Sequence, residues 1–200
     1  MKKEEFADRL SCACASVISA EQELTEIDSH FGDADHGLTM KKIAGAIDSA
    51  VKGSDGGIKE MLDDAAMAVM VLNGGSAVPL WNAWLDGMQE NAPEGDEIDV
   101  PGIKAVFKRA FEELDGVSGA KVGDKTMMDA LIPASEAIAA YEGSDENELF
   151  AARAAADGAE ASRQFVSKFG RAKSYGTQTI GTPDAGAVSM AYFFRGLARA

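Results

Sequence analysis

Apolar residues recur at i, i+3, i+4 and i+7 through nearly the whole chain, and that period decides the fold class. Phe6, Leu10, Ala13 and Val17 form one stripe, and Met40, Ile43, Ala44, Ile47 and Val51 form the next. A third, with Ile58, Met61, Leu62, Ala65, Val69 and Leu72, stops at Asn73 and the glycine pair Gly74–Gly75. Trp81, Trp84, Leu85 and Met88 make a fourth. The fifth is the cleanest: Ile103, Val106, Phe107, Ala110, Phe111 and Leu114, with Asp99 as its N-cap two residues before Pro101. A sixth helix is predicted over about 126–141, kinked or started by Pro133, and an alanine-rich seventh over about 146–169. The eighth, about 184–197, carries Val188, Phe194 and Leu197. No segment alternates with period two for long, and no β-branched run is flanked by hairpin turns. The reading is one all-α domain over residues 1–200, without internal repeats or a domain boundary.

Composition narrows the partners. The chain has 200 residues, 46 % of them hydrophobic, enough for a real core. Its formal net charge of −14 disfavours nucleic acid and anionic membrane surfaces as partners. No stretch approaches the length of a membrane span, and no signal-peptide apolar run follows the N-terminus. Cys12 and Cys14 lie two apart on a predicted helix and point to different sides, so they read as buried free thiols of a reducing cytoplasm.

Four loops are rich in glycine: 32–37, 73–76, 119–126 and 170–186. In an up-and-down bundle, alternate loops fall at the same end. These four join helices one to two, three to four, five to six and seven to eight, so they are predicted to meet and form a ligand site.

The first of them carries the densest chemistry. Asp28, Asp33 and Asp35 stand within eight residues, beside both histidines of the protein, His30 and His36. Carboxylates so close repel unless a cation neutralises them, and oxygen donors suit a hard divalent ion such as Mg²⁺ or Ca²⁺. The loop runs into a helix start at His36, Gly37, Leu38 and Thr39, where free N–H groups favour an anion. A metal beside an anion-binding helix start is the local chemistry of a metal–nucleotide site. An acidic, solvated turn is the alternative. An EF-hand is not, since no frame puts acids at positions 1, 3 and 5 with Gly at 6 and Glu at 12.

Other candidates carry two readings each. Ser76 after the glycine pair offers a phosphate-binding hydroxyl or an ordinary N-cap. Lys125, in a turn too short for a Walker A loop, serves a phosphate or pairs with Asp124. Met127 and Met128 belong to the core or pack on a flat base. Arg171 and Lys173 form a basic island that closes over a phosphate or decorates a helix end. Asp184, Ala185 and Gly186 are an N-cap and first turn, or part of the site. With only two histidines, both in one loop, a Ser-His-Asp or Cys-His device is poorly supported.

The constellation resembles the nucleotide-binding L subunit of dihydroxyacetone kinases. The matching motifs, in order, are Leu24-Thr-Glu-Ile-Asp28, Gly32-Asp-Ala-Asp-His-Gly37, Gly74-Gly-Ser-Ala-Val-Pro-Leu-Trp81, Gly123-Asp-Lys-Thr-Met127 with Asp129-Ala-Leu, Gly170-Arg-Ala, and Ile180-Gly-Thr-Pro-Asp184-Ala-Gly186. The resemblance implies an eight-helix antiparallel up-and-down barrel with ADP or ATP at one end. It implies that Asp28, Asp33 and Asp35 hold two Mg²⁺ ions bridging the phosphates. His36, Gly37, Leu38 and Thr39 would contact phosphate or ribose, and Gly75, Ser76 and Ala77 would line the phosphates. Met127 would pack on the base with Gly119 near it, and Arg171 with Asp184, Ala185 and Gly186 would complete the cradle.

The departures are specific. The family pattern Gly-Gly-Ala/Thr-Ser-Gly is here Gly74-Gly-Ser-Ala-Val78, so the hydroxyl moves by one and a glycine becomes valine. Valine before Pro79 is pushed to extended geometry, which predicts a different loop path. Near the last loop, Thr177, Gln178, Thr179 and Thr182 replace an arginine-containing motif, and Ala185 replaces a proline. In the resembling family the ketose is held covalently on a histidine of a separate domain, for which eight helices leave no length. The expectation is therefore a kinase subunit, inactive alone, whose partner binds the ketose. In one family branch a phosphotransferase phosphohistidine protein rephosphorylates bound ADP, and in the other ATP exchanges. Other substrates within reach of the resemblance are a different small ketose or a fatty-acid-type acceptor. A regulatory role, ADP held for a transcription factor, is the non-catalytic alternative, and a homodimer is a further assembly to test.

Overall fold

The helix spanning Val100–Ser118 forms for the reasons its sequence announces. The Asp99 side chain accepts the Gly102 N–H at 2.8 Å, Pro101 occupies the first turn, and Gly119 at φ 62° closes the C-terminus in left-handed geometry. Ile103, Val106, Phe107, Ala110 and Leu114 are buried along one side. The computed structural model describes residues 1–199, and the same logic recurs along it. Numbered in chain order, the α-helices are α1 (Lys3–Ser19), α2 (Glu21–Ser29), α3 (His36–Gly53), α4 (Ile58–Met70), α5 (Ala77–Glu90), α6 (Val100–Ser118), α7 (Met128–Ala140), α8 (Glu146–Leu149), α9 (Ala152–Ala161) and α10 (Ala185–Leu197). Two 3₁₀ segments, Ser162–Gln164 and Arg171–Thr179, complete it. Among the described residues there is no strand, and none of the helices is long and apolar enough to cross a membrane.

Packing follows chain order. α1 lies on α3, α3 on α4, α4 on α5, α5 on α6, α6 on α7, α7 on α9, α9 on α10, and α10 returns to α1. That closed sequence of neighbours is what an up-and-down arrangement of eight helices would produce. Trp81 and Trp84 from α5, Phe107 from α6, Phe150, and Phe193 and Phe194 from α10 interlock at its centre with ring centroids 5.1–6.2 Å apart. Most of these contacts are edge-to-face, the arrangement the ring quadrupole favours. Close helix crossings require small residues. A Cβ on Gly196 would lie 2.4 Å from the Ala13 Cα, so α10 and α1 touch backbone to backbone.

Several boundaries differ from expectation. The N-terminal segment is two helices, α1 and α2, broken at Ala20. The predicted seventh helix does not run from 146 to 169. Leu149 and Phe150 are adjacent and both fully buried, and Ala151 turns at φ 51° to allow it. Phe150 meets Phe107, and the buried Arg9 guanidinium stacks over its ring. α7 begins at Met128, because the Thr126 N–H is taken by the Asp129 carboxylate. Pro133 stays inside α7. The carbonyl it leaves without a helical donor, that of Asp129, faces Gly158 of α9, where a Cβ would sit 2.1 Å from that oxygen. Val78 is not in a loop: it is buried in the first turn of α5, where Pro79 needs no N–H partner. Cys14 is the buried thiol, pushed up to about 12 mainly by that burial, whereas Cys12 is exposed and both are free.

Candidate functional site

Residues from all four glycine-rich loops line a single cavity of about 500 Å³. Asp28, Asp33, Asp35, His36 and Thr39 come from α2, its loop and the start of α3, and Gly75, Ser76 and Ala77 from the turn into α5. Lys125, Thr126 and Met127 come from the turn before α7, and Arg171 with Thr182–Gly186 from the run into α10. Trp81 joins the cavity to the aromatic core.

The acidic loop is built to converge. α2 ends at Ser29, and the Asp28 carboxylate reaches forward to accept the N–H of Asp35 at 3.1 Å and of His36 at 3.4 Å. It therefore caps α3 from a different helix, while Asp35, the residue at the N-cap position, makes no side-chain cap. Gly32 is required there, since a Cβ would fall 2.0 Å from Asp28 Oδ1. Ala34 takes φ 60°, an uncommon conformation for a residue with a Cβ, between the two remaining acids. One oxygen from each of Asp28, Asp33 and Asp35 then lies within 4.8 Å of the others.

Electrostatics make this convergence costly. Burial, and then Asp33 and Asp28, push the Asp35 carboxyl above its usual range, with Arg171 pulling the other way. Arg171 Nη2 lies 2.7 Å from Asp33 Oδ2, but both side chains are solvent-accessible and such a pair contributes about 0–1 kcal/mol. Three oxygens with one exposed guanidinium suit a hard divalent cation, so the donor set fits Mg²⁺. Burial lowers the His36 imidazole below its usual range, with Asp28 opposing, and its Nε2 lies 3.3 Å from Ser189 Oγ.

Three expected contacts fall outside the cavity lining. Gly37 is buried against α2, where a Cβ would lie 2.1 Å from the Glu21 carbonyl, so its small size serves helix approach. Leu38 is exposed, and Gly119 is the C-cap of α6. Ser76 makes no side-chain cap bond to α5, which removes the N-cap reading of that serine. Lys125 is not paired with Asp124, which binds Lys168 instead at 2.6 Å, and its ammonium donates to two carbonyls.

Asp129 and the Lys125 tie escape residue-by-residue reasoning. Asp129 is 1 % exposed, and its two oxygens accept the N–H groups of Gly123 at 2.6 Å and Thr126 at 2.7 Å. The signal was an acid three residues after a threonine at a helix start, the capping-box pattern. Asp184 caps α10 by accepting the Ala187 N–H at 2.8 Å, as its position suggested. Tyr175 of the 3₁₀ segment packs on Phe31 of the cavity lining, ring centroids 5.2 Å apart.

An all-helical fold with a cation-fitting cavity at a helix N-terminus describes a class of protein, and sequence comparison gives it a family. Residues 30–199 match the DAK2 domain, and the chain belongs to that family. It is 36 % identical over 190 residues to a D-erythrulose kinase of Mycolicibacterium smegmatis, covering 92 % of this chain and 33 % of that protein. It is 27 % identical to the ADP-binding subunit DhaL of the PEP-dependent dihydroxyacetone kinase of Escherichia coli, covering 94 % and 92 % of the two chains. The dihydroxyacetone kinase of C. freundii, solved with AMP-PNP and Mg²⁺, superposes with a TM-score of 0.73 at 23 % identity, over 97 % of this chain and 33 % of that one. The chain thus spans about a third of the length of the erythrulose kinases it matches.

Proposed function

We propose that this chain is the nucleotide-binding part of a kinase that phosphorylates a small hydroxy-ketone held by another domain or subunit. The observation that carries the reading is the meeting of three carboxylates with the start of α3 inside a cavity built from four separate loops. Asp28, Asp33 and Asp35 would hold Mg²⁺, two ions by family resemblance, and the turn into α5 at Gly75, Ser76 and Ala77 would face phosphate. Bound Mg²⁺ would supply charge neutralisation for phosphoryl transfer, which needs positioning more than covalent help. The chain's own residues bind and orient. Ser76 offers an uncommitted hydroxyl at the α5 start, Arg171 an exposed guanidinium, and Met127 an apolar face for the base.

Relatives favour a three- or four-carbon ketose as the acceptor. Erythrulose kinases match at 31–36 % identity and dihydroxyacetone kinases at 26–29 %. The partner would be a ketose-binding subunit or domain, with ATP or a phosphohistidine protein as the phosphoryl source, in the cytoplasm. Calorimetric titration of ADP tests the binding half: affinity should depend on Mg²⁺ and vanish with EDTA, and equal affinity in both defeats the proposal. Adding a ketose-binding subunit should restore transfer from ATP or a phosphohistidine donor to erythrulose or dihydroxyacetone. Steady turnover by the isolated chain would overturn the division of labour.

A further inference from the structure

Lys125 occupies the place in a glycine-spaced turn where a phosphate-binding lysine would be sought, yet its ammonium is spent inside the protein. The residue is 4 % exposed. Nζ donates to the carbonyls of Ser162 at 2.7 Å and Thr182 at 2.5 Å. Those carbonyls belong to different segments, one ending α9 and one leading into α10. Ser162 extends the tie, since its Oγ accepts the Asp184 N–H at 2.9 Å. Lys125 also sits at φ 61°, which costs a residue with a Cβ about 1 kcal/mol that its hydrogen bonds must offset. The outcome is close contact between two cavity walls: a Cβ on Gly186 would lie 3.3 Å from the N and Cβ of Met127.

We infer that Lys125 is a positioning residue for the nucleotide, its buried ammonium holding the Met127 and Asp184–Gly186 walls together and acting as counter-charge to the Asp184 carboxylate. The inference rests on the nucleotide reading above. Asp184 is faced by Asp129 from α7 and by Lys125 from the turn before it. Arg163, after α9, faces Lys125, and His36 of α3 meets Ser189 one turn along α10. Burial pushes the Asp184 carboxyl up to about 7 and Asp129 adds to this, while the N–H of Ala187 and the Lys125 charge oppose it. Burial likewise lowers the Lys125 ammonium, with Asp184 and Asp129 opposing. Without the ammonium, Asp184 would take up its proton at higher pH.

The test is calorimetric titration of ADP with Mg²⁺ between about pH 6 and 9, spanning the Asp184 titration, into the wild-type chain, Lys125→Met and Lys125→Arg. Lys125→Met should lose about tenfold or more in affinity, and the midpoint of its affinity–pH profile should move up. Lys125→Arg keeps the charge and donors, so its midpoint should stay at the wild-type value. Unchanged affinity in Lys125→Met overturns the inference. So does a loss that is equal at every pH, which would leave a strut without a charge role. Should Lys125→Met not fold, Lys125→Arg decides, because a moved midpoint there overturns the inference and an unmoved one upholds it. A wild-type chain that binds no nucleotide would sink the functional reading itself, an outcome distinct from all of these.

Discussion

Two groups of aspartates stand on the segments that build the cavity and are treated differently by the fold. Asp124, Asp129 and Asp184 are satisfied by the protein. Asp124 takes Lys168 and the Lys121 N–H, Asp129 takes two N–H groups, and Asp184 takes the Ala187 N–H. Asp33 and Asp35 receive almost nothing beyond one exposed arginine, and Asp28 is the only one of its three to hold backbone N–H groups. The first group is architecture. The second is a set of negative charges brought together with little compensation beyond two N–H groups at Asp28 and one exposed guanidinium, the feature on which the proposed cation site rests. Acid content alone does not set Asp33 and Asp35 apart, whereas their want of a backbone N–H partner does.

The contrast can be broken at its strongest point by Asp129→Ala. The substitution leaves the Gly123 and Thr126 N–H groups without partners, and should lower the stability of the ligand-free chain by about 3 kcal/mol, as losing a buried charged acceptor does. Urea unfolding measures it, and a change within error would place Asp129 with the ligand-facing acids. Asp33→Asn should do the reverse. Ligand-free stability should hardly change, while Mg²⁺-dependent ADP affinity falls by about 2 kcal/mol and the holo melting temperature drops with it. A lowered melting temperature without ligand would refute that assignment.

Ser76→Ala sharpens the contrast at a neutral residue. The serine makes no cap bond, so melting of the ligand-free chain should stay the same. Affinity for ADP with Mg²⁺ should fall by about 1 kcal/mol, the scale of one hydrogen bond to a charged group. Equal affinity in the variant would leave Ser76 with no role in the site.

A final test varies pH. Asp184, Asp129 and Asp35 all have raised carboxyl pKa values in the folded chain, with burial the largest cause of each. Such a group binds its proton more tightly folded than unfolded. Its contribution is therefore fully present below the usual carboxylate range and is lost as pH rises, for Asp184 up to about 7. His36, lowered by burial, works in the opposite sense below its ordinary value. Relative to Asp184→Asn, the ligand-free wild type should thus lose stability between about pH 4 and 7. Parallel stability curves for the two proteins would show that Asp184 does not titrate in that window.

Much of this was legible in residue order, because helix period and glycine punctuation are local signals. The buried stripes of α3 to α6, the Asp99 and Asp184 caps and the free thiols needed no tertiary information. Chain connectivity alone placed four loops at one end, and those loops line one cavity. The acidic triad could be named from its spacing, though its role as ligand remains the proposal to be tested. What tertiary structure alone decided concerns partners distant in sequence. Lys125 read as a phosphate ligand or a partner of Asp124 until Ser162 and Thr182 were seen around it, and Gly37 looked like an anion contact until α2 was packed on it. The break at Ala151 arises because Leu149 and Phe150 must both reach the core, a demand no helix period encodes. Local propensity sets where helices can form. Which carboxylate is spent and which is left for a ligand depends on donors that only folding brings within about 3 Å.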